Sequence, residues 1–295
     1  MKKCQVIVCC HKKDVMATQT PYLPIHVGKS LSSADLEIQA DNDGENISEK
    51  NQSYCELTGL YWAWKNLKDV DVIGLSHYRR YFDFHNQCAS YLPHTAFHTN
   101  DFDKIDLSIP QQIIDSVKDG VAYVAAPRVY NKSLHTNYCE AHISDDIRIL
   151  EKYIFEKLDI KYATAYFKVM HQNNKLMHYN MFLMTWRDFD AYCSWLFPLL
   201  NEMENQIDIS HYTPVQRRIF GYMAERLFNV WLEANEFQIH HKPVIWFSDY
   251  EASLKNPSRF RMCCRNTKAS LAHYLAMPKD IKKFARNKQY QLLFL

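Results

Sequence analysis

"IGLSHYRRYFDF", residues 73–84, runs four apolar or small residues straight into His77, Tyr78, Arg79 and Arg80. A short apolar run of this kind reads as a buried strand, and this one ends in a histidine and two arginines flanked by aromatic rings. In open α/β sheets, ligands bind outside the carboxyl ends of the strands. Two further runs have the same form: Val6 to Cys10 leads into His11, Lys12 and Lys13, and Val121 to Ala126 leads into Pro127 and Arg128. Taken singly, each cluster reads better as a solvated loop. Three strand ends that offer cations to one crevice predict an anion site, and a diphosphate fits it best.

Helical or mixed segments separate these runs, which predicts an α/β fold with a largely parallel sheet. A fourth strand, Met181 to Met184, leads into a helix carrying Phe189, Tyr192, Cys193, Leu196 and Leu200. After Asn51, Ser53 and Glu56 have capping-box spacing, and Leu57, Leu60, Trp64 and Leu67 then share a helix face. Another helix starts near Pro214, with Ile219, Met223, Leu227 and Trp231 as its apolar stripe. Gln216 falls on the stripe side, and Arg218, Glu225 and Asn229 on the opposite face. The pattern weakens beyond Asn235, so residues 1–236 are expected to form one Rossmann-type domain and residues 237–295 a basic helical extension.

The composition bounds the function. Thirty-five basic against thirty-three acidic residues leave a net charge of +2, which argues against general nucleic-acid binding. The imbalance is local: from Lys255 to Lys288, Asp280 is the only acid among ten lysines and arginines. Nine cysteines with no C-x-x-C pair read as reduced thiols rather than a zinc cage or disulfide framework. The apolar stretch after Met1 is about five residues, short of the roughly 7–15 of a secretory signal. No segment approaches the ~20 apolar residues of a membrane span. A cytoplasmic protein in peripheral contact with a membrane is expected.

The stretches "YLPIHVGKS", "DNDGENISEKNQSYCELTGLYWAWKNL", "IGLSHYRRYF", "YNMFLMTWRDFDAYCSWLFPLL" and "RRIFGYMAERLFNVWL", in this order, resemble the bacterial capsular and exopolysaccharide biosynthesis family catalogued as domain of unknown function 4422. The resemblance covers roughly Lys3 to Glu236. It implies a glycosyltransferase with a GT-A-like fold. Some members look like galactofuranosyltransferases that use a UDP-sugar. It further implies a cytoplasmic enzyme at the inner membrane whose acceptor is a lipid-linked glycan of a surface polysaccharide (capsule, exopolysaccharide or O-antigen). Two competing classes fit the same residues: a non-catalytic scaffold that binds phosphorylated lipid carriers, and a sugar-phosphate transferase.

Within that frame, His77, Arg79 and Arg80 are donor-binding candidates. Alternation along an extended segment turns His77 and Arg79 to one side and Tyr78 and Arg80 to the other, and the first pair is favoured for the crevice. His11, Lys12, His26, Asn46, Ser48 and Asn51 are further donor candidates, while Glu56 is explained by its capping position. His142 and Asp146, four apart, read either as an oriented base on one helix face or as a surface pair. Gln216 completes the catalytic candidates, and Asn180 and Arg217 those for the acceptor. Glu225 reads as a structural salt link.

Most GT-A enzymes hold the donor diphosphate through a metal on an Asp-x-Asp motif at a strand end, a place taken here by Ser76-His77-Tyr78-Arg79. Fixed cations in place of the metal are therefore expected, without excluding manganese or magnesium. Asp41-Asn42-Asp43 has the right spacing but reads as a plain turn. The basic tail reads either as a surface for anionic lipid, with Leu271, Tyr274, Leu275 and Met277 partly inserted, or as a solvated end.

Overall fold

The structure is a computed structural model that describes residues 1–285; Arg286 and Lys288 of the basic tail lie outside the described residues. Its strands, in chain order, are β1 (Cys4–Cys10), β2 (Tyr22–His26), β3 (Gln39–Ala40), β4 (Val72–His77), β5 (Arg80–Phe82), β6 (His94–Phe97), β7 (Val121–Ala125), β8 (Arg128–Val129), β9 (Lys175–Leu176), β10 (Phe182–Thr185), β11 (Gln238–Lys242) and β12 (Val244–Phe247). The main sheet has the order β11-β7-β10-β4-β1-β2-β3, with β5, β12 and β6 attached beside β4. The pairings β1–β2, β1–β4, β2–β3 and β7–β11 are parallel, while β10 runs against β4 and β7, and β5 against β4 and β12. The mixed α/β class with a mostly parallel sheet is the one the apolar runs imply.

Both faces of the sheet are covered, which explains why residues 6–10 of β1 and residues 72–75 of β4 are runs of apolar or small residues rather than alternating. Ile7, Cys9, Ile73 and Leu75 join the larger core, with the helices Leu57–Asn66, Trp186–Gln206 and Ile219–Ala234. Val6, Val8, Cys10 and Val72 face the smaller core on the other side, with Tyr81, Ile245 and Phe247. The larger core contains fully buried aromatic rings, among them Phe182, Phe189, Tyr192 and Phe228. Burying each such side chain contributes roughly 1.5–3 kcal/mol.

Two expectations need correction. Strands β11 and β12 belong to the sheet, so the folded unit continues past residue 236 to Phe247. Their weak pattern has a physical cause: "QIHHK" of β11 is an edge strand with half-exposed and exposed residues, and carries no apolar signature. Beyond it, Arg259–Ala285 forms one long helix, docked by buried Met262 and His273, with His273 Nε2 3.0 Å from the Gln172 carbonyl. The capping box is also absent. The helix Asn51–Tyr54 stops at Cys55, whose φ of 53° and ψ of −128° break the register before Leu57–Asn66 begins. Ser53 Oγ donates to the Lys50 carbonyl, and Glu56 is free to turn elsewhere.

Candidate active site

The chain leaves β1 toward β2 on one side and reaches β4 on the other, so the topology reverses between β1 and β4. Their carboxyl ends deliver His11 and His77, which alternation places on the face of Cys9 and Leu75. A cleft of ≈ 750 Å³ opens there, walled by the Asn51–Glu56 segment, by Tyr179 and by the residues from Pro214 to Glu225.

The floor is the segment Met177–Asn180, just before the reversed strand β10. Tyr179 and Asn180 both hold positive φ, 76° and 52°, a conformation that costs non-glycine residues of order 1–3 kcal/mol. Hydrogen bonds hold it in place. The Tyr179 carbonyl meets His77 Nε2 at 2.8 Å, and the Tyr179 N–H donates to Glu225 Oε1 at 2.6 Å. Asn180 Nδ2 donates to Glu56 Oε1 at 2.7 Å, and Asn229 bonds both the N–H and the carbonyl of Met177. The supposed polar face of the Ile219–Ala234 helix is thus covered by this segment, and Asn229 and Arg226 are buried.

The hairpin between β4 and β5 decides which arginine enters the cleft. Tyr78 and Arg79 form its two-residue turn, and His77 pairs across the strands with Arg80. Cross-strand partners project to the same side, so His77 and Arg80 line the cleft together. Arg79 turns away and donates to Asp14 Oδ2 at 2.6 Å. The expectation had the arginines reversed, because a turn resets the alternation of an extended segment. Tyr78 also lines the cleft rather than facing away.

Three arginines, Arg80, Arg217 and Arg218, line the cleft, and among the described residues none of them is ion-paired with a carboxylate. Arg80 lies 4.7 Å from the Tyr179 ring centroid, and its buried Nε has no hydrogen-bond partner among the described residues. Arg218 Nε donates to Cys55 Sγ at 3.3 Å, and Arg217 to Gln52 Oε1 at 3.1 Å. Gly221 permits this packing, since a Cβ there would come within 3.2 Å of Cys55 Sγ.

The two carboxylates in the cleft differ. Burial raises the Glu56 carboxyl above its ordinary value, against the opposing hydrogen bond from Asn180. Burial also pushes Glu225 up, but His178, 3.3 Å away, the adjacent Arg226 and the Tyr179 N–H outweigh it and hold Glu225 ionised. Burial, then Arg80, brings the His77 pKa down to about 4.

Of the remaining sequence candidates, His11 and Asn51 line the cleft. Lys12 pairs with Asp14 at 3.7 Å and is half-exposed. His26, 2% exposed, faces away from cleft-lining Val27 by alternation. Ser48 is buried on Asp41, and Asn46 closes a local turn with Gly44 and Ser48. Asn180 stands behind Glu56, 3% exposed, with its Oδ1 unpartnered. Gln216 donates to the Ala141 carbonyl at 3.4 Å, beside the mouth.

His142 and Asp146 do not share a helix face. His142 is the extended residue that ends Leu134–Ala141, while Asp146 lies in the first turn of Ser144–Lys157. His142 stacks on Tyr222 at 4.1 Å, and buried Asp146 accepts from the Tyr212 hydroxyl at 2.6 Å. Arg128, from the third strand end, donates to the Tyr179 hydroxyl.

The Asp-x-Asp spacing does not serve this cleft. Asp41 accepts from the Gly28 and Lys29 N–H groups and from Ser48, and neither Asp41 nor Asp43 lines it. Strand β3 does precede it, which the sequence pattern hid. Among the described residues, one group has metal-ligand chemistry: His135, Glu151 and His171, with ligand atoms within 4.8 Å of one another. None of the three lines the cleft, and Glu151 and His171 already meet at 2.7 Å.

The family described as domain of unknown function (DUF4422) matches residues 5–236. The chain belongs to that family. A solved structure, described as the apo structure of the bifunctional glycosyltransferase WbbM, is similar over 83% of this chain, with 26% identity and a TM-score of 0.74. The match covers 45% of that protein, so the chain spans less than half its length. The likeness gives the DUF4422 chain the fold of a glycosyltransferase. No curated protein matches it. Among the described residues, no helix is long and apolar enough to cross a membrane.

Proposed function

We propose that the chain is a GT-A-type glycosyltransferase that moves a hexose, with galactofuranose the sugar suggested by the resemblance, from a UDP-sugar to a lipid-linked surface glycan. One observation carries the reading. At the switch point of the sheet, three arginines without carboxylate partners among the described residues stand in one cleft with a half-buried carboxylate whose pKa is raised. Guanidinium groups suit a diphosphate because they remain charged and bond its oxygens in pairs.

In this reading Arg80 and Arg218 hold the diphosphate, with Arg217 at the rim. Glu56 is the general base, and Asn180 fixes its orientation. The acceptor hydroxyl gives its proton to Glu56 as its oxygen bonds the anomeric carbon. The bond from that carbon to the diphosphate oxygen breaks, and the charge that develops on UDP falls on the arginines. Glu225 stays ionised and anchors the floor. Glu56 thus takes the role that the spacing assigned to His142 and Asp146.

Incubation with a panel of UDP-sugars and a lipid-linked acceptor tests this. Release of UDP is expected. UMP would show sugar-phosphate transfer, and no release from any donor would show a binding scaffold. The same reading gives fixed cations the role that a divalent ion has in most GT-A enzymes. Activity is expected to survive EDTA, and loss in EDTA with recovery in manganese would overturn that part.

A further inference from the structure

A second cleft, of ≈ 730 Å³, lies beyond Tyr179 between β6, the segment Arg128–Asn131 and the first half of the Arg259–Ala285 helix. Its charge is one-sided. Arg128, Lys255, Arg265 and Lys268 line it against a single carboxylate, Glu251. Among the described residues, none of the four cations is ion-paired. The Nε of Arg128 and the Nδ1 of His94, both buried, have no hydrogen-bond partner among those residues. The field is strong enough that burial, Arg128, Arg80 and Arg265 together bring the His94 pKa down to about 4.

The rest of the lining is apolar, with Leu92, Ala96, Leu254, Met262 and Ala272 among it. Arg265, Lys268, Ala269 and Ala272 follow the i, i+3, i+4, i+7 spacing of one helix face. About a third of a turn round the same helix, past Lys268, Phe260, Leu271, Tyr274 and Leu275 stand exposed. A site for a free inorganic anion needs no such apolar wall, and an apolar ligand alone needs no four unpaired cations.

We propose that this cleft binds the phosphate or diphosphate group of an amphiphile, with the hydrocarbon chain lying on the apolar lining of Leu92, Leu254 and Met262. The role as acceptor subsite rests on the glycosyltransferase reading; the binding does not. Tyr179 connects the two clefts, with Arg80 4.7 Å and Arg128 5.3 Å from its ring centroid. A phosphate held by Arg128 therefore sits one side chain away from the proposed donor site.

The test is calorimetric titration of the full chain with farnesyl diphosphate, inorganic pyrophosphate and UDP, repeated with the exposed double variant Arg265→Ala/Lys268→Ala. Farnesyl diphosphate is expected to bind at least about tenfold more tightly than pyrophosphate. The double variant is expected to weaken it by about tenfold or more, since two charged contacts are lost, while UDP affinity stays the same. Equal affinity for pyrophosphate would show a free-anion site and overturn the proposal. So would an unchanged farnesyl diphosphate affinity in the variant, or competition by phosphatidylglycerol vesicles but not by soluble prenyl diphosphate. Farnesyl diphosphate bound as expected without UDP-sugar turnover would sink the enzyme reading and leave this site standing.

Discussion

The two clefts meet at Tyr179, which lines the first and bonds Arg128 of the second, and they differ in which charges they leave uncovered. The first contains two carboxylates beside its arginines, one tied into a network by His178 and Arg226 and the other set apart by burial on Asn180. The second has cations and apolar surface, with Glu251 as its single acid. In the proposed reading the first moves a proton and holds an anion, and the second holds an anion. The contrast teaches that charged residues mark a site when the fold leaves them unpaired. Arg79 is as basic as Arg80, yet Asp14 occupies it.

The most direct way to break this contrast is Glu56→Gln. Turnover is expected to fall by roughly 10²–10⁴ if Glu56 is the general base, with UDP affinity retained; a variant that keeps its kcat removes the base from the first cleft. Next comes the arginine pair. Arg80→Ala is expected to weaken UDP binding roughly 10–100-fold, as loss of charge-assisted hydrogen bonds implies. Arg79→Ala should leave UDP binding within about threefold and lower stability by about 1 kcal/mol or less, because its ion pair is partly solvated. Equal losses in isothermal titration would erase the distinction drawn from the hairpin.

A pH series reads both clefts at once. His77 and His94, one in each, have pKa values pushed down to about 4, against an unfolded value near ~6.5. Between those limits the unfolded chain binds more protons than the native one, so stability falls as pH is lowered from ~6.5 to 4 and is insensitive to these groups above that window. The urea midpoint should show that slope, and His77→Gln should reduce it; a flat profile would mean that neither imidazole is held neutral. The smallest effect concerns the helix flank. Leu271→Glu/Leu275→Glu should reduce partition onto anionic vesicles severalfold without changing UDP affinity, and unchanged sedimentation with vesicles would leave the exposed stripe without a lipid role.

Much of the fold was legible because three strands are buried on both faces and so appear as unbroken apolar runs. The strands that were missed are edges or short pieces: β11, QIHHK, is half-buried or exposed throughout, and β3 is two residues long. The candidate site was legible as a place more than as a residue set. Strand ends gave His11 and His77, but the orientation of Arg79 and Arg80 depends on a two-residue turn that periodicity does not see. Glu56 was hidden because Ser53 three residues before it supplied a sufficient local explanation, and only Cys55's positive φ removes it. Glu225 looked solvent-facing because the segment that covers it arrives from 46 positions away.

Strand β10 enters the sheet against the grain, so its amino end meets the carboxyl ends of β4 and β7. The cleft is consequently stitched from chain segments 102 and 124 positions apart, through His77 with Tyr179 and Glu56 with Asn180. Such distant pairings come at the cost of closing long loops and form only with the completed sheet. A nascent chain that has emerged as far as residue 170 carries the strand ends, both histidines and Arg80, and still lacks the floor that makes them a site.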